Sequence, residues 1–582
     1  MICLKRIFFV VLSFFAFILG NKITYIFRTT PLAEIFSENF SWNFFEDPTK
    51  IYLGKEELLG GVVAVIGLGL FFLYHKYDRK NFREKTEHGS AEWGEKKDIL
   101  RVEDKNEERN KLFTQTEKMS LNTRKTFKNN NTLVIGGSGS GKTRFFVKPN
   151  LMQMNSSFVI TDPKGELLSS CGKMLKDNGY EIKIFDLINF ENSDKYNFFK
   201  YIRDERDILK LTNNIIMNTN SPNSKSAGDF WEKAENALLQ ALFSYVFYEG
   251  TEEEKNINTV MELLRLSEVK EDDEDFKSPL DILFDELKKE NPNHFAVKQY
   301  DIFKFAAGKT AKSILVSVGV RLAPFNIDKI SELLSEDTLE LEFLGDRKTA
   351  LFIIIPDSDV TLNFISAIMY QQLFDLLFYR ADHIYKGALP YEVAFWLDEF
   401  ANIGQIPNLE IYVSTMRSRK ISVNIILQNL TQLKTLYKNS WETITGNCDS
   451  LLFLGGKEQS TLKYLSEMIG KTTVDYRAIS ENRGTNGSYS VSNQLIARDL
   501  ITAEEISLLE KDECILSIRG IKPFLSKKYD IEKHKNYSLL LDSNKENVFR
   551  RIEKSTEEKV LEEIEKVEEL IELEELEELE EE

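Results

Sequence analysis

Residues 136–143 read Gly-Gly-Ser-Gly-Ser-Gly-Lys-Thr, the spacing G-x-x-x-x-G-K-[ST]. Glycines let backbone amides turn toward phosphate oxygens with no Cβ in the way, and a helix starting just beyond adds the positive end of its dipole. Gly136, Gly137, Ser138, Gly139, Ser140 and Gly141 form the expected cradle. Lys142 would reach the β and γ phosphates of ATP, and the Thr143 hydroxyl would ligate Mg²⁺. A second Gly-Lys-Thr stands at 308–310, but position 303, where the first glycine should be, is Phe. That copy also lies in a helical pattern and is read as plain helix.

Hydrolysis needs carboxylates downstream. VAFWLDEF (393–400) is an apolar run that delivers Asp398 and Glu399 at its end. Asp398 would complete the Mg²⁺ shell and Glu399 would polarise the attacking water. Taken alone, the same run is an ordinary buried strand ending in solvated acids; downstream of the phosphate loop it reads as the catalytic strand. Gln428 ends a further run, ISVNIILQ (421–428), where it would sense the γ phosphate or simply cap the strand. Arg417 and Arg419 lie in STMRSRK (414–420). They are either solvated helix-end charges or, for one of them, an arginine finger, which requires a neighbouring subunit's nucleotide. The four cysteines (Cys3, Cys171, Cys448, Cys514) have no metal spacing, and the five histidines form no H-E-x-x-H or Cys/His cluster. Such cysteine usage suits a reduced cytosolic body.

The residues named so far require a scaffold. TLVIGG (132–137), SFVITD (157–162), EIKIFD (181–186), ALFIIIPD (350–357), VAFWLDE (393–399), ISVNIILQ (421–428) and SLLFLGG (450–456) are short, nearly continuous apolar runs. They read as strands of a sheet buried on both faces, with helical patterns between several of them, hence an α/β doubly wound domain. Between the third and fourth runs the apolar residues recur at helical spacing, as in FWEKAENALLQALFSYVFYE (230–249) and PLDILFDELKKE (279–290). This predicts an all-α domain inserted into the α/β domain.

Two apolar stretches open the chain, at 7–27 and 58–74, each close to the length of a membrane span. Lys5 and Arg6 precede the first, and Lys76, Arg79, Lys80 and Arg83 follow the second. The positive-inside rule places both ends in the cytoplasm and residues 28–57 outside. A cleaved signal peptide is the alternative for the first stretch, but no clear small-x-small site follows. The 582 residues exceed one ordinary core. Their net charge of −18 is mostly a tail property: residues 557–582 hold fifteen Glu and two Lys, leaving −5 for the rest. The bulk charge does not advertise nucleic-acid binding, so any DNA contact must come from a local basic surface. The expected boundaries are a transmembrane hairpin at 1–85, a nucleotide-binding domain in two parts at 86–199 and 346–540, the inserted domain at 200–345, and an acidic tail at 541–582.

TDPKGEL (161–167), DFWEKAENALL (229–239), LDEFANIGQIPNLE (397–410), STMRSRKISVNIILQNLTQL (414–433), GIKPFLSKKYD (520–530) and HGSAEWG (88–94) resemble the type IV secretion coupling proteins of the TraG/TraD class. The resemblance runs from about residue 86 to about 535, and the paired N-terminal spans match as well. It implies a RecA-like P-loop domain with an inserted all-α domain, behind a two-helix membrane hairpin. Lys142, Thr143, Asp398 and Glu399 match the Walker positions, Gln428 a nucleotide-sensing glutamine, and Arg417 the position of an arginine finger, which ranks it above Arg419. One departure is YNFF (196–199), where members often read Tyr-Asn-Pro. The acidic tail is not a family-wide feature; it is a solubilising segment or a docking arm for a basic protein.

The function implied by the resemblance is that of a cell-membrane ATPase assembled as a homo-hexamer. It would couple single- or double-stranded DNA with its relaxase, or protein substrates, to type IV secretion channel components. Two rivals are an ATP-binding receptor without motor activity and an FtsK-like chromosome-partitioning translocase. The intact Glu399 speaks against the first, and the Glu-rich end, in place of a DNA-reading winged helix, against the second.

Overall fold

The computed structural model describes residues 2–35, 47, 49–77, 86–220, 229–268, 276–306, 309–482 and 488–551. The acidic run 557–582, and residues 36–46 of the expected external loop, lie outside the described residues. The chain divides into two units, one of residues 1–90 with 473–498 and one of residues 91–472 with 499–582.

The smaller unit holds two long helices, Ile2–Thr29 and Lys55–Tyr77, each long and apolar enough to cross a membrane. They pack closely because small residues meet at the seam. A Cβ on Gly20 would lie 2.5 Å from the Ala64 Cβ, one on Gly60 1.8 Å from the Thr24 hydroxyl, and one on Gly61 2.7 Å from the Phe17 ring. Near the helix ends, Asn21 exchanges two hydrogen bonds of 2.9 Å with the backbone of Tyr52. Glu57 is buried and pairs with Arg28 at 3.1 Å. The same unit includes most of a two-stranded hairpin, Lys471–Asn482 with Ser488–Asp499.

The larger unit is built on a nine-stranded sheet. Its strands in chain order are β1 (Thr132–Ile135), β2 (Ser157–Pro163), β3 (Glu181–Asp186), β4 (Thr349–Ile355), β5 (Val393–Leu397), β6 (Ile421–Leu427), β7 (Ser450–Phe453), β8 (Glu513–Ile518) and β9 (Phe524–Lys527). The spatial order is β9-β8-β7-β1-β6-β5-β2-β4-β3. Strands β7 to β3 of that order run parallel, and β8 and β9 add an antiparallel edge. The apolar runs read from the sequence became β1 to β7. The edge pair β8–β9 was not among them: FLSK is short and half polar, and ECILSI was passed over although it equals EIKIFD in length.

Side chains alternate between two cores, as the two-residue strand period requires. Leu133 and Ile135 of β1, Phe395 and Leu397 of β5, and Ile425 and Leu427 of β6 join one core. Val134, Trp396 and Ile426 join the other, with Phe146, Leu151 and Leu175 of the helices that follow β1 and β2. The described residues between β3 and β4 form the helices Glu205–Thr219, Asp229–Glu249, Ile257–Arg265, Pro279–Glu290, Phe295–Lys304, Lys309–Leu322 and Asp328–Leu333. Its buried residues belong to the first core. Lys309 and Thr310 of the second Gly-Lys-Thr lie in helix Lys309–Leu322, as read from the missing glycine.

Candidate functional site

Parallel strands place their C-terminal ends, and the loops that follow, along one rim of the sheet. β1 runs out at Ile135 into the glycine loop. β6 lies beside it and ends at Leu427, so Gln428 stands next to the loop. β5 is the next strand and ends at Leu397, so Asp398 and Glu399 follow on the same rim.

The loop is held open by backbone contacts. The Gly136 N–H donates to the Leu427 carbonyl at 3.0 Å and the Gly137 N–H to the Gly455 carbonyl at 2.8 Å. Gly139 and Gly141 take φ of +74° and +83°, where a side chain is strained. Among the described residues, no acceptor takes the N–H groups of Ser138, Gly139 and Gly141, and the buried Ser140 hydroxyl has no partner. The site therefore presents unspent donors, which fits a phosphate group. Thr143 opens the helical segment Thr143–Leu151 directly after the loop.

The side chains named from the sequence meet there. The Thr143 hydroxyl donates to Asp398 Oδ2 at 2.8 Å. Lys142 Nζ donates to the Gly136 carbonyl at 3.0 Å and pairs with Glu399 Oε1 at 3.3 Å. Gln428 Nε2 donates to Glu399 Oε2 at 3.0 Å. Glu399 adopts φ of +47°, a left-handed conformation that costs a non-glycine residue roughly 1–3 kcal/mol and that persists where the surroundings impose it. Burial raises the Asp398 carboxyl above its ordinary range, opposed by the Thr143 hydrogen bond. Thr143 and Asp398 together offer a divalent cation hard oxygen ligands.

Arg417 is not part of this cluster. It lies in the turn Met416–Arg419 before β6, at the opposite end of the sheet, with Nη2 donating to the Thr123 carbonyl at 2.8 Å. It lines a cleft of about 1200 Å³ with Arg109, Arg124, Arg419 and Lys420, against Asp104 and Glu392. Arg419 is engaged locally, bonding Asp382 at 2.9 and 2.6 Å and lying 4.5 Å from the Phe378 ring centroid.

Two nearby residues escaped the sequence reading. Asp162, at the end of β2, accepts the N–H groups of Leu167 and Leu168 at 3.0 and 2.7 Å, so it caps the following helix. Burial, with Asp398 adding repulsion, pushes its carboxyl up to about 7. Lys528, just past β9, donates to the Ser140 carbonyl at 3.0 Å. Asp162 lies in TDPKGEL and Lys528 in GIKPFLSKKYD, two of the runs that carry the family resemblance, but neither run says which of its residues meets the site.

Similarity to known proteins agrees with this geometry. The chain is 23% identical over 416 residues to Protein VirD4 of Rhizobium radiobacter, covering 68% of this chain and 56% of that one. It is 24% identical over 499 residues to the conjugal transfer protein TraG of Escherichia coli, covering 79% and 76%. The aligned part spans 56% to 61% of the first VirD4 and TraG relatives it matches. Among solved structures, the unbound bacterial conjugative coupling protein TrwBdeltaN70 is similar with a TM-score of 0.54 at 17% identity, covering 75% of this chain and 91% of that one. TrwB in complex with the ATP analogue ADPNP matches with a TM-score of 0.55 at 16% identity, covering 77% and 97%. The fold is thus the expected RecA-like P-loop domain with its all-α insertion. The model of the family described as type IV secretory system conjugative DNA transfer matches residues 90–562, and the chain belongs to that family.

Proposed function

We propose that this chain is a membrane-anchored ATPase that couples DNA–relaxase complexes or protein substrates to a type IV secretion channel and powers their transfer. The observation that carries the reading is the joining of Lys142, Glu399 and Gln428 beside the Thr143–Asp398 pair, on one rim of the sheet. Family membership supports the coupling role, and the two apolar helices support anchoring.

The catalytic roles follow from the contacts. Lys142 leaves Glu399 for the phosphates of ATP, because an anion with several negative charges competes for the ammonium. Glu399 is then free to accept a proton from the attacking water. Gln428, bonded to the other Glu399 oxygen, keeps the carboxylate aimed and registers whether the γ phosphate is present. Thr143 and Asp398 hold Mg²⁺, which when bound offsets the charge that develops on the phosphate oxygens. Subunits assemble as a homo-hexamer below the membrane, so that Arg417 of one can approach the nucleotide of the next.

Purified full-length protein tests the reading. Lys142→Ala should lose ATP binding, and Glu399→Gln should bind ATP with near wild-type affinity while turnover falls at least about 100-fold. Wild-type hydrolysis by Glu399→Gln would remove the assignment of Glu399, and failure of the wild type to bind nucleotide would remove the whole reading.

A further inference from the structure

β9 ends at Lys527, and the next residue turns inward. Lys528 is only 7% exposed. Among the described residues it forms no ion pair, in contrast to Lys527, whose ammonium meets Glu510, Asp512 and Glu513. The Lys528 ammonium has two neighbours of note, the Ser140 carbonyl at 3.0 Å and the Phe145 ring, whose centroid is 5.5 Å away. Burying a cation without a counter-charge is costly. Burial accordingly lowers the Lys528 pKa from its ordinary value. A fold that retains such a group beside a phosphate loop has placed positive charge where an anion is to arrive.

The peptide geometry says what the contact does. Across a planar trans peptide the C=O of one residue and the N–H of the next point in opposite directions. Holding the Ser140 carbonyl toward Lys528 therefore turns the Gly141 N–H the other way. Among the described residues that N–H has no protein acceptor, and Gly141 sits at φ +83°, so on the Gly141 side no side chain resists rotation of this peptide. The Phe145 ring packs where a Gly141 Cβ would be, at 2.4 Å, and covers the other side of the hinge. Lys528 and Phe145 together fix a peptide that its own glycine leaves free.

We propose that Lys528 is a positioning residue of the nucleotide site, gripping the Ser140 carbonyl so that the Gly141 amide stays presented to phosphate. The proposal rests on the nucleotide-binding reading above and extends it to the edge of the sheet. The segment after Lys528 continues along the helical segment behind the loop, where Glu532 pairs with Arg144 at 3.3 Å and Asp542 with Lys148 at 2.6 Å. The edge strand and the chain that follows it thus brace the phosphate loop from outside.

Titration of the full-length protein with a fluorescent ADP analogue, alongside steady-state ATP hydrolysis, tests this. Lys528→Met should raise the ADP Kd and the ATP KM about ten-fold with kcat within about two-fold. Lys528→Arg should restore most of the affinity, and Lys528→Gln, which keeps a donor but no charge, should fall between. Equal Kd values for wild type, Lys528→Gln and Lys528→Arg overturn the proposal, as does a loss in Lys528→Met that Lys528→Arg fails to restore. If Lys142→Ala loses ADP while Lys528→Met binds it as the wild type does, the positioning role falls and the nucleotide site stands. If the wild type binds no ADP, the site reading itself falls.

Discussion

Arg417 and Gln428 stand at opposite ends of one strand: Arg417 lies in the turn before β6, and Gln428 directly follows its last residue. Seven strand residues at about 3.3 Å each separate the two ends by roughly 23 Å. Gln428 adjoins its own phosphate loop, so Arg417 cannot reach the same loop in cis. If it serves hydrolysis, it does so on a neighbour's nucleotide. Arg417→Ala should then cut turnover by about 10³-fold while ATP affinity stays within about two-fold. Mixing Arg417→Ala with Lys142→Ala subunits should restore part of the activity, since some interfaces then combine both intact halves. Absence of rescue in oligomers shown to be mixed would assign Arg417 a structural role at the Thr123 carbonyl.

Gln428 makes a separate prediction. Its amide holds one Glu399 oxygen at 3.0 Å while Lys142 holds the other at 3.3 Å. Gln428→Ala frees the carboxylate to rotate, which should lower kcat about 10- to 100-fold and leave ADP binding nearly unchanged. Gln428→Glu should be more damaging near neutral pH, because two carboxylates in contact resist joint ionisation and favour a protonated Glu399. Its remaining activity should rise with pH over the range in which the pair loses its shared proton. Wild-type kcat in Gln428→Ala, with a flat pH profile in Gln428→Glu, would place Gln428 outside the reaction.

The candidate site was legible because each residue of the cluster ends an apolar run: the glycine loop after β1, Asp398 and Glu399 after β5, Gln428 after β6. A two-residue period and a polar end are local signals. Arg417 and Arg419 were not separable by charge or spacing, and only family resemblance ranked them. In three dimensions Arg419 is already engaged by Asp382 and Phe378, a distinction that depends on a helix far away in sequence. Lys528 lies in the family-resembling run GIKPFLSKKYD, but nothing in that run tells it from Lys527, since its partner Ser140 lies 388 residues earlier. The edge strand just before Lys528, FLSK, is short and partly exposed, so neither length nor hydrophobicity announced it.

The pairing of the two long apolar helices can be tested through its glycines. A side chain at Gly60 would collide with Thr24, whereas a Cβ added at Gly67 would meet nothing within 4 Å. Gly60→Val should force the helices apart at a cost of about 1–3 kcal/mol, and Gly67→Val should be tolerated. Thermal midpoints of the full chain in detergent, with the amount recovered in the membrane fraction, provide the comparison. Equal behaviour of the two variants would mean that the close seam does not hold the pair together.

The last prediction concerns pH and the segment that braces the phosphate loop. His534 is buried, at 6% exposure. Its Nδ1 accepts the Asn536 N–H at 3.1 Å, so the ring proton sits on Nε2, 3.2 Å from Gln153 Oε1. The Gln153 amide is fixed in that orientation because its Nε2 donates to the Glu107 and Asn110 carbonyls at 2.8 and 3.0 Å. A second proton on Nδ1 would oppose a donor to the Asn536 N–H. Burial, with Lys535 adding repulsion, accordingly brings the His534 pKa down to about 4 from an ordinary 6.5. The unfolded chain binds this proton below pH 6.5 and the folded chain does not until about pH 4, so the group's full contribution is present above 6.5 and is lost as pH falls between those values. The loss approaches about 3 kcal/mol by about pH 4. His534→Gln removes the titration, so the stability difference between wild type and variant, measured by denaturant unfolding, should shrink in favour of the variant as pH falls from 6.5 to about 4. A difference that stays constant across that range would show that His534 is protonated equally easily in the folded and unfolded chain.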